Sequence, residues 1–292
     1  MKPKRADELT KQERENLSSY ISDVNADVFV ISNLNPEVVG AALARYSRAP
    51  TGLKETVVRE FLDQDGTPNE IKGSELIDRV VNKYGDESVA ELAVAPLCVE
   101  NVSNLMTKII EDCRIGGSPI EESTRYVLYD IKRDEQWRYV RPESIMKSGL
   151  AKVYIQTMDF LFETYAGLVE PMQNFFRKKL PASEFKIEVE RNNRVVLVGA
   201  DALENDNEKR AHRLAYGFTM RSAACDVLRC ILPASTKANM GIVGNGRFYS
   251  GLITKLLSQE LDEGWLLAEN IRKALETQIP TFIRRAEKND YL

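Results

Sequence analysis

FKIEVERNNRVVLVG, residues 185–199, separates a mixed fold from a purely helical one. Phe185, Ile187 and Val189 alternate with Lys186, Glu188 and Glu190, the two-residue period of a half-buried strand. After Arg191-Asn192-Asn193 a second apolar run, RVVLVG at 194–199, follows, so the stretch predicts a β-hairpin. On its N-terminal side, Val153, Tyr154, Phe160, Leu161, Leu168 and Met172 recur at mostly helical intervals and predict a long helix from Leu150 to about Phe176. On its C-terminal side, ENDNEKR at 204–210 precedes a helix through Leu214, Phe218, Ala223, Val227 and Ile231, which Leu232-Pro233 ends. Strands and helices mix without regular βαβ repetition, which is the pattern of an α+β fold.

Farther out, ADVFVISNL at 26–34 reads as a short strand, and Asn35-Pro36 as an N-cap followed by proline at the first helical position. The helix from Pro36 carries ARYSR, 44–48, near its end. YGDESVAELAVAPLCVE, 84–100, is a turn entering apolar structure, and Val102, Leu105, Met106, Ile109 and Cys113 continue at helical spacing. A final helix begins at about Phe248. Residues 1–25 are charged and carry few apolar side chains, so they are expected to form a peripheral helix or a loose arm outside a domain covering 26–292.

The chain has 292 residues, 43% of them apolar, enough to bury a sizeable core. Its formal net charge of −4 gives no long-range attraction to nucleic acid or to an anionic membrane, so any anionic ligand must be held by local arginines. No run approaches the roughly 18 apolar residues of a membrane span, and MKPKRADELTKQEREN lacks the apolar stretch of a signal peptide, so a soluble cytoplasmic protein is expected. Cys98, Cys113, Cys225 and Cys230 lack C-x-x-C spacing and read as small core residues of helical segments. With His212 the only histidine, neither a zinc site nor a histidine-activated serine or cysteine nucleophile is expected.

Three constellations remain. GSPIEESTRY, 117–126, packs two glutamates, two hydroxyls and an arginine together; a solvated turn with Arg125 paired to Glu121 or Glu122 is its plain reading. GIVGNGRFYSG, 241–251, lacks the third glycine of a dinucleotide loop and follows a proline-terminated helix rather than a strand. It reads either as a helix-helix turn or as a glycine-eased backbone that approaches a ligand, with Asn245 and Arg247 beside it. In LRCILP, 228–233, Arg229 sits among apolar neighbours, either snorkelling to the surface or presenting its fork to a carboxylate or phosphate.

Taken in order, A-R-Y-S, G-D-E-S-x-x-E-L, R-I-G-G-S-P-I-E-E-S-T-R-Y, L-R-x-x-L-P and N-x-R resemble the motifs of the flavin-dependent thymidylate synthase family over about residues 36–257. The most specific is E-x-S-x-R-Y at Glu121, Ser123, Arg125 and Tyr126. The resemblance implies a small, largely antiparallel sheet among helices, with the hairpin at about 183–200 as an insertion. It also implies FAD, deoxyuridine monophosphate, methylenetetrahydrofolate and NADPH, and a homotetramer with active sites between subunits. By position, Ser47, Ser88, Arg114, Glu121, Asn245 and Arg247 would touch FAD. Glu121, Ser123, Arg125 and Arg229 would hold the nucleotide, with Arg229 and Ser123 closest to the chemistry and Ser123 a hydrogen-bond donor rather than a nucleophile. Departures are marked: the family's R-H-R triplet reads Asp112-Cys113-Arg114, Gly116 or Gly117 is an extra residue, and Asp86 and Leu92 replace two histidines. Leu256 stands where the family has an arginine that polarises the uracil, with Lys255 next to it. Two functions are therefore expected as alternatives: FAD-dependent methylation of deoxyuridine monophosphate, or a non-catalytic flavin- and nucleotide-binding subunit that partners an active homologue.

Overall fold

The computed structural model describes residues 9–292; residues 1–8 of the expected arm lie outside the described residues. Helices of eight residues or more are α1 (Lys11–Ser18), α2 (Pro36–Tyr46), α3 (Glu70–Ile77), α4 (Asn104–Glu111), α5 (Ala151–Lys179), α6 (Asp206–Leu228), α7 (Gly246–Leu257) and α8 (Asp262–Leu275). Strands are β1 (Val94–Ser103), β2 (Gly117–Glu121), β3 (Lys186–Arg191), β4 (Arg194–Gly199) and β5 (Lys237–Asn245). The fold is α+β, with one three-stranded sheet in the order β1-β5-β2 and the β3-β4 hairpin. Backbone bonds from Asn245 to Gly116 and from Glu122 to Asn239 run in opposite chain directions, so β2 lies antiparallel to β5.

Contacts divide the chain into two compact units. The first holds residues 1–99, 108–120 and 240–292. Its buried centre is the carboxylate of Glu37, in the first turn of α2, which accepts bonds from the Thr281 backbone at 2.6 Å, the Thr281 hydroxyl at 3.1 Å and Ser74 of α3 at 2.5 Å. A buried carboxylate is tolerable here because each bond repays part of its lost hydration. The described part of the expected arm is not loose. Leu9, Leu17 and Ile21 are buried, and Thr10 and Glu13 form a reciprocal cap on α1. The strand expected at 26–34 does not form beyond a single bridge from Ile21 to Ile31. Lys54 takes the carbonyls of Val24 and Ala26 at 2.7 and 2.6 Å, and Val28 is left 90% exposed, so the alternating pattern has no sheet to pair with.

The second unit holds residues 100–107 and 121–239. Phe162 of α5 is fully buried within an aromatic cage of Trp137, Tyr139 and Tyr129, with ring centroids 5.6, 5.8 and 6.5 Å away. Burial pushes the phenols of Tyr129 and Tyr139 up to about 12. α5 and α6 begin and end within a few residues of their sequence prediction, and Asn205 caps α6 through the Glu208 amide. In the hairpin, Arg191 pairs with Arg194 across Asn192 and Asn193, whose φ values of 52 and 58° are the left-handed pair of a two-residue turn. Ile187 and Val198 face inward, while Val195 and Leu197 are exposed.

Two cysteine assignments need correction. Cys225 is buried in α6 and Cys113 partly so, but Cys98 lies on the outward side of β1 and Cys230 in the turn after α6, and both are exposed.

Candidate functional site

In the second unit, the E-x-S-x-R-Y element leaves the end of β2 and turns back on itself. Glu121 is exposed as the last residue of β2. Ser123 anchors the turn, its carbonyl accepting the amides of Tyr126 and Val127 at 3.0 and 3.1 Å and its hydroxyl accepting that of Arg125 at 3.3 Å. Arg125 pairs with neither neighbouring glutamate. Its Nε lies 2.9 Å from Oδ1 of Asp226, and Nη2 of Arg229 lies 3.3 Å from the same oxygen. One carboxylate thus gathers the two guanidiniums singled out in the sequence, and all three side chains remain 43 to 53% exposed, open to a ligand from solvent. Tyr126 stacks on Phe218 of α6 at 5.7 Å, and the Arg221 guanidinium lies over the other ring at 5.5 Å.

Glu122 has a different task. Arg138, only 6% exposed, meets it with two bonds of 3.0 and 2.9 Å, and Asn239 of β5 adds a third at 2.8 Å. This is the fork-to-carboxylate geometry that makes a buried pair tolerable, and it fixes the start of the turn.

In the first unit, the short 3-10 turn Glu87–Glu91 ties two motifs together. Ahead of it, Asp86 accepts Arg48 at 2.6 Å and the Ser88 hydroxyl at 2.5 Å, and both bonds hold its carboxyl below the ordinary aspartate range, the Ser88 bond most. Within it, Glu91 accepts Arg247 at 2.6 Å, with Glu87 at 3.7 Å. Ser47 is exposed at the end of α2 and gives its hydroxyl to the Ala44 carbonyl at 2.9 Å. Contrary to the expectation of a helix-helix turn, a strand, β5, runs directly into α7, and Asn245 is the junction. Its side chain caps Phe248 at 2.8 Å, and its amide donates to Gly116 at 2.9 Å. Gly116 has φ of 82°, and a Cβ there would stand 2.6 Å from the Asn245 amide group, so only glycine fits this close approach.

The departures look different in three dimensions. Asp112 is bonded to Lys108 and further held down by the charges of Lys255 and Arg114, so its negative charge is answered locally. Arg114 is exposed. Leu256 is fully buried, so it occupies core and not a ligand-facing position. Lys255, half-buried, is the cation of α7 that reaches the 112–114 segment: its Nζ lies 3.5 Å from the Ile109 carbonyl and opposes the burial that raises the Cys113 thiol.

A family model described as thymidylate synthase complementing protein matches residues 29–281. The chain belongs to that family. Its relatives include UPF0159 proteins of Chlamydia pneumoniae, 34% identical across 96% of this chain and 50% of the relative, and of Thermoplasma acidophilum, 35% identical across 84% and 47%. The chain thus spans about half the length of the curated relatives it matches. Among solved structures, a flavin-dependent thymidylate synthase from Helicobacter pylori complexed with FAD and dUMP is 17% identical, covers 87% of this chain and 96% of its own, and superposes with a TM-score of 0.44.

For this member of the thymidylate synthase complementing family, the expected residues fall into two groups. Arg125 and Arg229 come together around Asp226 in the second unit, with Ser123 bonded to the Arg125 backbone amide, and Ser47, Ser88, Asn245 and Arg247 are ordered by short hydrogen-bonded links in the first. The sequence reading missed Asp226, Glu91 and Arg48. Asp226 was readable, since it precedes Arg229 by three residues on a helix, the spacing of a surface ion pair.

Proposed function

We propose that this chain binds FAD and deoxyuridine monophosphate and methylates the nucleotide to thymidylate, with methylenetetrahydrofolate as one-carbon donor and NADPH as reductant, in a homotetramer. The observation that carries the reading is the pair of guanidiniums, Arg125 and Arg229, converging on one oxygen of Asp226. Two forks held at one point suit a phosphate or the developing charge on a pyrimidine, which a net acidic chain attracts only through such local cations. Ser123 donates a hydrogen bond there and keeps its proton, because no base stands beside it.

The first unit's donors fit a flavin dinucleotide: hydroxyls at Ser47 and Ser88, the Asn245 amide against a bare Gly116, and cations at Arg114 and Arg247. When bound and reduced, FAD supplies the hydride that completes the methyl group. Lys255, rather than position 256, is the α7 cation available near the 112–114 segment.

A second reading, a non-catalytic binding chain that partners an active homologue, is favoured by one observation: Asp112 and the fully buried Leu256 stand where the resemblance places cations. The two readings share their binding step, which calorimetry with deoxyuridine monophosphate tests first. Arg229→Ala should weaken binding by roughly 1.5–3 kcal/mol, the range of a hydrogen bond to a charged group. Equal affinity in both proteins would remove the arginine pair from the site.

A further inference from the structure

Residues 57–83 contain two π-helical turns, Val57–Phe61 and Asp78–Lys83. Such turns are rare and are found frequently at functional sites. Here both serve one groove of the first unit. The first turn contributes Arg59 and Glu60 to its wall and the second contributes Arg79 and Val80, while the end of α2 supplies Arg45 and Arg48. The groove consists of two adjoining pockets, one beside each π-helical turn, that share Leu76 and Arg79 in their walls.

Its charge is opposite to that of the chain. Arg45, Arg48, Arg59, Lys72 and Arg79 outnumber the lining carboxylates Glu60, Glu75 and Asp86 together with Glu55, which pairs Arg59, in a protein of formal net charge −4. Arg45 is fixed by Glu60 through Nε alone, at 2.9 and 3.0 Å, and Arg48 by Asp86 through Nη2. Neither pairing uses all five N–H donors of its guanidinium. Arg79 and Lys72 find no carboxylate partner among the described residues. Between these cations the wall is apolar, formed by Ala44, Leu76 and Val80, and the Tyr84 side chain stands 75% exposed at the mouth, next to Gly85 with φ of 74°.

Cations without a carboxylate partner among the described residues, an apolar wall and an aromatic ring left in water are what a ligand with a flat ring and a phosphate would satisfy together. We propose that this groove binds a phosphorylated aromatic ligand of the nucleoside diphosphate class, with the phosphates on Arg79 and Lys72 and the ring against Tyr84 and Leu76. None of these residues belongs to the flavin or pyrimidine contacts proposed above, so the inference stands whether or not that reading holds.

Adenosine diphosphate is the probe, titrated calorimetrically into the full chain and into Arg79→Glu, with inorganic phosphate and adenosine as separate ligands. Binding is expected in the natural chain, at least tenfold weaker in Arg79→Glu, mostly retained in Arg79→Lys, and much weaker for either fragment alone. Arg79→Lys also guards against a folding defect, since it keeps the charge at the same position. No binding by the natural chain, or equal affinity in Arg79→Glu, would overturn the proposal. So would a loss that follows Arg247→Ala instead, which would place the probe on the proposed flavin contacts.

Discussion

Asp226 is a carboxylate held where a ligand's anionic group is proposed to sit, and its charge makes it a competitor. Replacing it with asparagine keeps the shape and removes the charge that the ligand must displace. The pair is half exposed, so its worth is that of a surface ion pair, about 1 kcal/mol or less. Asp226→Asn should therefore bind deoxyuridine monophosphate up to about fivefold more tightly by calorimetry. Weaker binding would instead make Asp226 an organiser of the two arginines. A second prediction concerns Asp86, whose carboxyl is depressed first by the Ser88 hydroxyl and then by Arg48. A depressed carboxyl contributes stability that is present above the ordinary aspartate value of 3.8 and is lost as pH falls through the lower folded value. The Arg48–Asp86–Ser88 link should thus persist at pH 5 and break only in stronger acid. Ser88→Ala should move the Asp86 titration, followed by carboxyl NMR shifts, up toward 3.8. An unmoved titration would show that the hydroxyl does not set it.

Among the elements, α7 shows how far sequence reasoning reaches and where it stops. The apolar spacing of Leu252, Ile253 and Leu256 announces the helix, and all three are buried as that spacing requires. Aligning Leu256 with a ligand-facing cation, by contrast, placed a core residue in a pocket. Periodicity says which side chains share a face; what the face meets depends on partners distant in the chain. Leu256→Arg should accordingly bury an unpaired guanidinium and lower stability by about 3 kcal/mol or more in denaturant unfolding, without raising activity above that of the natural chain. A stable, more active variant would show that this helix turns its 256 side chain toward a ligand. The same limit explains the remaining gains and misses. The 185–199 hairpin was legible because its turn and alternation are local, whereas β2 inside GSPIEESTRY was not, since only pairing with β5, more than a hundred residues away, makes it a strand. The apparent strand at 26–34 goes no further than the Ile21–Ile31 bridge, and at its start Lys54 takes the carbonyl of Ala26. The proposed contacts Arg125 and Arg229 were legible as motif residues, but the carboxylate between them appears only when the turn and α6 meet.

At the scale of the whole molecule, the chain contributes two separately ordered sets of polar groups in a protein whose formal charge repels anions at long range. In the proposed function ligand recognition therefore rests on a few fixed arginines, each already placed by an acidic neighbour: Arg247 by Glu91, and Arg125 and Arg229 by Asp226. Such pre-positioning limits the conformational cost of binding, at the expense of a competing carboxylate at every point. Among the described residues no helix is long and apolar enough to cross a membrane. The central claim is that these arginines serve thymidylate formation. The measurement that tests it most directly is turnover of deoxyuridine monophosphate by the purified chain with FAD, NADPH and methylenetetrahydrofolate, run beside Arg229→Ala. The account predicts thymidylate from the natural chain and a loss of at least a hundredfold in the variant, the scale expected when a charged stabiliser is removed. Demonstrated binding of both flavin and nucleotide with no thymidylate formed would contradict it.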